Sequence, residues 1–234
     1  MRTKVIILSF HIEKNMKIDS LCLGTNFLKQ VEKTKFLGIN IDEHLNFRYH
    51  VEHILKKVSK SIGLLFKLNH FLPKNVLLTL YNTLILPYYN YGIIFWYNSP
   101  LENLNRITVT QKKAVRAICQ LGFNEHTNGY FKDLNILKIE DLYKMNLCAT
   151  RLKQIKNPDN NSISHKFVLN SELHPYFTRN RHNYSIPLYS RTSSQSCFLF
   201  QASTEFNDLP AHLKECSSAH VFRTKFKRFI IDKY

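Results

Sequence analysis

Carboxylates and basic side chains are the two residue classes whose placement decides what chemistry this sequence can do. Phosphoryl transfer by two metal ions needs carboxylates clustered tightly enough to bridge hard Mg²⁺ ions. The aspartates are Asp19, Asp42, Asp133, Asp141, Asp159, Asp208 and Asp232, and no two are adjacent. Asp42-Glu43 and Glu140-Asp141 are the paired acids, and a turn and a helix start account for them. His50-x-x-His53 shares a helix face, but no Cys, Asp or third His stands at a companion spacing, so a structural or solvent-facing role is expected. Cys22, Cys119, Cys148, Cys197 and Cys216 include no C-x-x-C pair, and they read as reduced thiols, with Cys119 and Cys148 as small buried side chains. No nucleophile motif such as G-x-S-x-G is present. The sequence therefore offers no catalytic residues and no metal ligands.

The basic residues are another matter. Lys and Arg number 33 against 17 Asp and Glu, a formal charge of +16 over 234 residues. The excess is concentrated: residues 56–120 hold nine basic residues and one acid, Glu102. A surface of this kind attracts phosphate backbones or anionic lipid. Lys56, Lys60 and Lys67 gather on one helix face, and Arg106, Lys113 and Arg116 project from a second helix. Side chains so placed suit phosphate contacts, which carry affinity and no sequence information. A plain solvated helix surface is the alternative use of the same lysines. Tyr88, Tyr89, Tyr91, Trp96 and Tyr97 could stack on bases, but their uncharged surroundings favour core packing with satisfied hydroxyls.

The elements that must position these residues follow from periodicity. Residues 1–45 are β-rich, with an apolar run at Val5–Phe10. A hairpin is expected around Gly24-Thr25-Asn26, and a strand pattern over Phe36–Asp42 carries Gly38 as a bulge or close-approach site. From about Phe47 the period turns helical: Val51, Ile54, Leu55, Val58, Ile62 and Leu65 form one stripe. A second helix runs from Lys74 to Leu86, where Pro87 stops it, and Tyr88–Tyr97 forms a third segment. Ser99-Pro100-Leu101-Glu102 predicts a capped helix start with Ser99 as the N-cap. That helix buries Leu104, Ile107, Ala114, Val115 and Ile118. Helices over 127–137 and 139–156 follow, and residues 157–165 make the best linker. Residues 166–208 show no clear period, and an amphipathic helix closes the chain over 217–231. The fold class is α+β, mainly helical: a small N-terminal antiparallel hairpin region (1–46), a helical bundle (47–156), the linker, and a less regular C-terminal module (166–234) ending in a helix.

Residues 75–101 carry no charged side chain, long enough for a membrane span. Asn75, Thr79, Asn82, Thr83, Asn90, Asn98 and Ser99 punctuate the stretch and Pro87 divides it, so buried helices and no membrane are expected. The apolar run near the N-terminus is too short for a signal peptide, and an intracellular protein, in nucleus or cytoplasm, is expected.

The order of these pieces resembles the C-terminal part of a reverse transcriptase from jockey-like non-LTR retrotransposons. RTKVIILSF resembles the palm strand after the catalytic strand pair. KFLGINIDEHLNFRYHV (Lys35–Val51) resembles the primer-grip hairpin entering the thumb. VSKSIGLLFKLNHFLP and LYNTLILPYYNYGIIFW resemble the thumb, and QKKAVRAIC and LNILKIEDLYKMN come next in the family's order. HPYFTR (His174–Arg179) and FNDLPAHLK (Phe206–Lys214) resemble its C-terminal module. Phe206 stands where the family usually has tryptophan, and Arg2 where it commonly has lysine.

The resemblance implies a palm edge, a thumb gripping a template–primer, and Phe36, Leu37 and Gly38 positioning a primer end by close backbone approach. In this family polymerisation needs a Phe/Tyr-x-Asp-Asp turn and an upstream Asp holding two Mg²⁺ ions. The 234 residues contain no Asp-Asp, and the matching strand pair would lie before Met1. The expectation is a truncated RNA-directed DNA polymerase, not an enzyme by itself, with no cofactor of its own. Its partner would be RNA or an RNA–DNA duplex, with no small-molecule substrate. The alternative is a basic helical interaction module, or a decayed element fragment, that binds no nucleic acid.

Overall fold

The helix that matters most, α1 (Arg48–Leu68), forms because apolar residues recur at helical spacing, and the structure buries that stripe. His50, Val51, Ile54, Val58, Ile62 and Leu65 are buried along it. The structure is a computed structural model, and it describes residues 21–23, 26–28, 31–156, 167–174, 176–190 and 192–234. The expected strand at Val5–Phe10 lies outside them, as does the expected linker. The chain divides into two units, Met1–Phe123 and Asn124–Tyr234. This division falls inside the 47–156 stretch read as one bundle, so the last long helix of that stretch packs within the second unit. The architecture is α+β and mainly helical, as expected.

In the first unit, β1 (Leu21–Leu23) pairs antiparallel with β2 (Asn26–Leu28), and β3 (Lys33–Phe36) pairs with β4 (Ile39–Asp42). Phe36–Asp42 thus spans a hairpin turn, and Gly38 is its close-approach site and not a strand bulge. Leu37 (φ 45°) and Gly38 (φ 84°) form a two-residue turn with both φ values positive, the geometry that matches the twist of a hairpin. Asp42 ends β4, and its carboxylate accepts the His44 and Asn46 N–H groups at 3.2 and 3.0 Å. This Asp-Glu pair shapes the entry into α1.

Helix α1 packs on α5 (Leu101–Cys119), on α2 (Lys74–Leu84) and on α3 (Leu86–Asn90). Leu77, Tyr81, Ile85, Tyr89, Ile107, Ala114, Val115 and Ile118 complete the core. Gln111, fully buried, donates its amide to the Tyr81 hydroxyl at 3.2 Å. The segment Tyr88–Tyr97 is broken rather than continuous: Gly92 (φ 62°) separates α3 from α4 (Ile93–Trp96). Ser99 is not the N-cap of α5. Pro100 takes that place in an extended conformation (φ −51°, ψ 146°), the backbone carbonyl of Pro100 accepts the Asn103 N–H at 2.9 Å, and the Ser99 hydroxyl is buried without a hydrogen bond. The ring's fixed φ already presets the chain to enter a helix. Pro73 and Pro210 open α2 and α11 (Ala211–Lys214) in the same way.

In the second unit, α7 (Ile139–Lys156) packs against α10 (Phe198–Asn207) and α12 (Ala219–Ile231). Cys148, Leu152, Phe206, Leu213, Cys216, Phe222 and Phe226 form the core. The aromatic at 206 thus serves packing, edge-on to Tyr184 at 5.9 Å. Helix α10 lies where the sequence shows no clear period. Its last residue, Asn207, clamps the Tyr184 backbone from both sides, accepting from its N–H at 2.9 Å and donating to its carbonyl at 2.8 Å. Arg151 is buried between the rings of Phe167 (3.7 Å) and Tyr184 (4.2 Å), and burial pushes its guanidinium down to about 10. Asp141, of the second acid pair, accepts the Tyr234 hydroxyl at the start of α7. No described helix is long and apolar enough to cross a membrane.

The Asn207 clamp fixes the cost of breaking it. Asn207→Ala leaves two half-buried backbone groups of Tyr184 without partners and is expected to destabilise the second unit by about 1–3 kcal/mol. Asn207→Asp, which keeps the acceptor and loses the donor, should fall between. Thermal unfolding followed by circular dichroism checks the order: native, then Asp, then Ala.

Candidate nucleic-acid interface

Because Val51, Ile54, Val58, Ile62 and Leu65 face the core, residues half a turn away must face solvent. At about 100° per residue, Lys56, Lys60 and Lys67 fall within about 40° of one another on that outer side. All three are exposed, and among the described residues none makes an ion pair. The helix thus brings the three lysines to one face.

The stripe continues beyond the three lysines. Lys33, Asn40, Tyr49, Glu52, His53 and Lys56 line a groove of about 340 Å³ between the β3–β4 hairpin and the first turns of α1. Lys33 sits over the Tyr49 ring at 3.9 Å. Lys33 and Lys35 occupy alternate positions of β3 and so share a face of the hairpin. Glu52 is the acid in this groove, and Arg48 lies 3.7 Å from it, one turn earlier in α1. Lys33, Tyr49 and His53 were not singled out by sequence reasoning as interface residues. Their meeting depends on hairpin register, which no periodicity in α1 reveals.

On α5, Arg106 and Lys113 are exposed and share a side of the helix, about 20° apart. Arg116 lies about 80° round from Arg106 and is half-buried, so the structure does not bring it onto that side.

The hairpin tip is a separate feature. Phe36 and Leu37 are 62% and 74% exposed. The Tyr91 hydroxyl donates to the Leu37 carbonyl, and a Cβ at Gly38 would meet the Tyr91 ring at 3.3 Å. A Cβ at Gly92 would strike Ile39 Cδ1 at 2.6 Å. Two glycines therefore let the turn seat on the α3–α4 junction while its own apolar side chains stay in solvent. Of the aromatic cluster, Tyr89 and Trp96 are fully buried, and Trp96 donates to the Tyr91 carbonyl at 3.0 Å. The Tyr89 hydroxyl has no hydrogen-bond partner, against the expectation that the buried hydroxyls are satisfied, and burial pushes its proton affinity well up. Tyr91 and Tyr88 keep an exposed edge.

Among the described residues no three of His, Cys, Asp and Glu converge, and both acid pairs are committed to a turn and a helix start.

No protein-family model matches the chain, and no solved structure does. Two curated proteins of Drosophila melanogaster are similar to it. One is the probable RNA-directed DNA polymerase from transposon BS, 28% identical over 120 residues, or 49% of this chain. The other is the RNA-directed DNA polymerase from mobile element jockey, 24% identical over 149 residues, or 62% of this chain. The chain is similar to part of the RNA-directed DNA polymerases of two mobile elements. Its matched parts span 13% and 16% of those two proteins. The α1 lysines, the groove and the hairpin tip are exposed surfaces of the first unit.

His50 couples that surface to pH. It is buried beneath the hairpin, its Nδ1 accepting the Asn40 N–H at 3.4 Å, and its Nε2 has no partner. Burial, with His53 nearby, pushes its imidazole down from 6.5 to about 4. Between those values the unfolded chain binds a proton that the folded chain refuses, so stability rises with pH through this window. The native chain is expected to lose stability as pH falls from about 6.5 towards 4. His50→Gln, which keeps an acceptor and cannot titrate, should flatten that part of the profile in urea melts taken across the range.

Proposed function

We propose that the chain grips an RNA or RNA–DNA duplex through its phosphate backbone, as the template–primer-holding part of a reverse transcriptase. The observation that carries this reading is the α1 stripe: three exposed lysines on one side of a long helix, with no carboxylate among the described residues paired to any of them. An unpaired row of cations on a helix repels itself, and a phosphate backbone relieves that repulsion while releasing counterions. Lys33 and His53 extend the same surface across the groove, and Arg106, Lys113 and Arg116 add positive charge on α5. Phe36, Leu37 and Gly38 would sit against a primer end, where a turn without a Cβ at 38 lets a sugar–phosphate approach the backbone closely.

On this reading the chain does not polymerise by itself. The sequence contains no Asp-Asp pair, and the similarity to transposon RNA-directed DNA polymerases covers only a minor part of their length. What those proteins do as wholes belongs to them. The part proposed here is the holding.

Fluorescence anisotropy with a labelled RNA hairpin at several salt concentrations tests the proposal. The native chain should bind at low salt, with affinity falling steeply as salt rises. Lys56→Glu/Lys60→Glu/Lys67→Glu should lose at least about tenfold in affinity and flatten the logarithmic salt slope by about 2 to 3. Primer extension with Mg²⁺ and deoxynucleotides should give no product. Failure of the native chain to bind at low salt would return it to a basic interaction module with no nucleic-acid role.

A further inference from the structure

The second unit holds a surface that the thumb-like reading leaves unused. After α8 (Asn170–Leu173) the chain presents Tyr176 and Phe177 with 76% and 88% of their surface exposed. Two neighbouring aromatic rings held in water forgo burial that each would otherwise gain. Their surroundings are basic: His174, Arg179, Arg181 and His182 lie within the same few residues, and no acid occurs between Glu172 and Glu205.

The rings project from an anchored base. The Asn170 N–H donates to the Asn183 carbonyl at 2.9 Å, and its side-chain amide to the Asn180 carbonyl at 2.9 Å. The Ser171 N–H donates to the Arg181 carbonyl at 3.1 Å, and Leu169 bridges to Tyr184, the residue that Asn207 clamps. The Arg181 guanidinium lies over one face of Phe177 at 4.3 Å, which steadies that ring and leaves its opposite face open.

We propose that this loop binds single-stranded nucleic acid, with Tyr176 and Phe177 stacking on unpaired bases and Arg179 and Arg181 neutralising the adjoining phosphates. Exposed π-faces beside cations fit unpaired bases. A duplex keeps its base faces inside its own stack, so this loop discriminates where the α1 lysines do not. The site stands on a different unit and a different chemistry from the backbone grip proposed above.

The full chain is titrated against a labelled short oligouridine and, separately, a blunt RNA duplex. Tyr176→Ala/Phe177→Ala should lose about tenfold or more in affinity for oligouridine, with duplex affinity changed by no more than about twofold. Tyr176→Phe, which keeps the ring, should bind oligouridine as the native chain does. In Tyr176→Trp the new indole should be quenched as oligouridine is added, against a steady background from Trp96, which is fully buried. This last readout needs no truncated ring and stands even if the double variant is less stable. Unchanged oligouridine affinity in the double variant, an equal loss for the duplex, or an unquenched indole in Tyr176→Trp would each overturn the site. Absence of oligouridine binding by the native chain at low salt would also overturn it, leaving the rings to a protein partner.

Discussion

Seating α1 by Val51, Ile54, Val58, Ile62 and Leu65 leaves its lysines no choice of side. Each of those residues, fully buried, contributes about 1.5–3 kcal/mol. Rotating the helix by even one residue would expose part of that stripe and drive lysine heads into the core, where an unpaired charge is far more costly. Exposed ion pairs would have been too weak to set this orientation, at about 0.3–0.5 kcal/mol for a pair such as Arg48–Glu52. The charged face is thus a by-product of apolar packing, and it needs no dedicated interactions to hold it.

The hairpin follows from the same helix. β4 lies on α1, and His50 carries the junction by accepting from Asn40 inside a buried site. At the far end, a Cβ at Gly38 would crowd the Tyr91 ring and one at Gly92 would displace the Ile39 side chain, and positive φ at both positions also favours glycine. The turn is held at both ends, so Lys33 is brought to Tyr49 and the groove beside Lys56 acquires a fixed shape. Strand register, helix rotation and two glycines act together here; none alone would build the groove.

How much of this was legible in the sequence depends on whether the deciding signal was local. The stripes of α1 and of α5 were readable because a 3.6-residue period is a property of one segment, and α7 was found at its ends, Ile139 and Lys156. Ser99-Pro100-Leu101-Glu102 misled by one position, since proline's own φ served as the helix entry and left the serine outside. The Leu37-Gly38 hairpin was legible through the resemblance carried by Lys35–Val51 and not through local pattern, because Leu37, a residue that resists positive φ, occupies the first corner; the tertiary hold from Tyr91 stabilises what local propensity disfavours. Helix α10 was missed because Phe198, Leu199, Phe200 and the residues after them pack against α7 and the Phe167 and Tyr189 rings on more than one side, which blurs the amphipathic period. Arg106, Lys113 and Arg116 lie on one helix as read, with Arg116 turned about 80° from Arg106.

The two units reach a nucleic-acid-compatible surface by opposite means, and that difference carries the functional argument further than net charge does. In the first unit the cations are ordered by a helix and the aromatic side chains of Tyr81, Tyr89 and Trp96 are spent in the core. In the second, Phe206, Phe222 and Phe226 fill the core, while Tyr176 and Phe177 remain outside on a loop whose base is tied by Asn170 and, through Tyr184, by Asn207. A lysine row reads spacing of phosphates, which every duplex offers. Exposed rings read base faces, which only an unpaired strand offers. A charge of +16 spread evenly would serve neither purpose; on the proposed reading, a helix face of lysines suits paired nucleic acid and an aromatic loop among arginines suits unpaired nucleic acid.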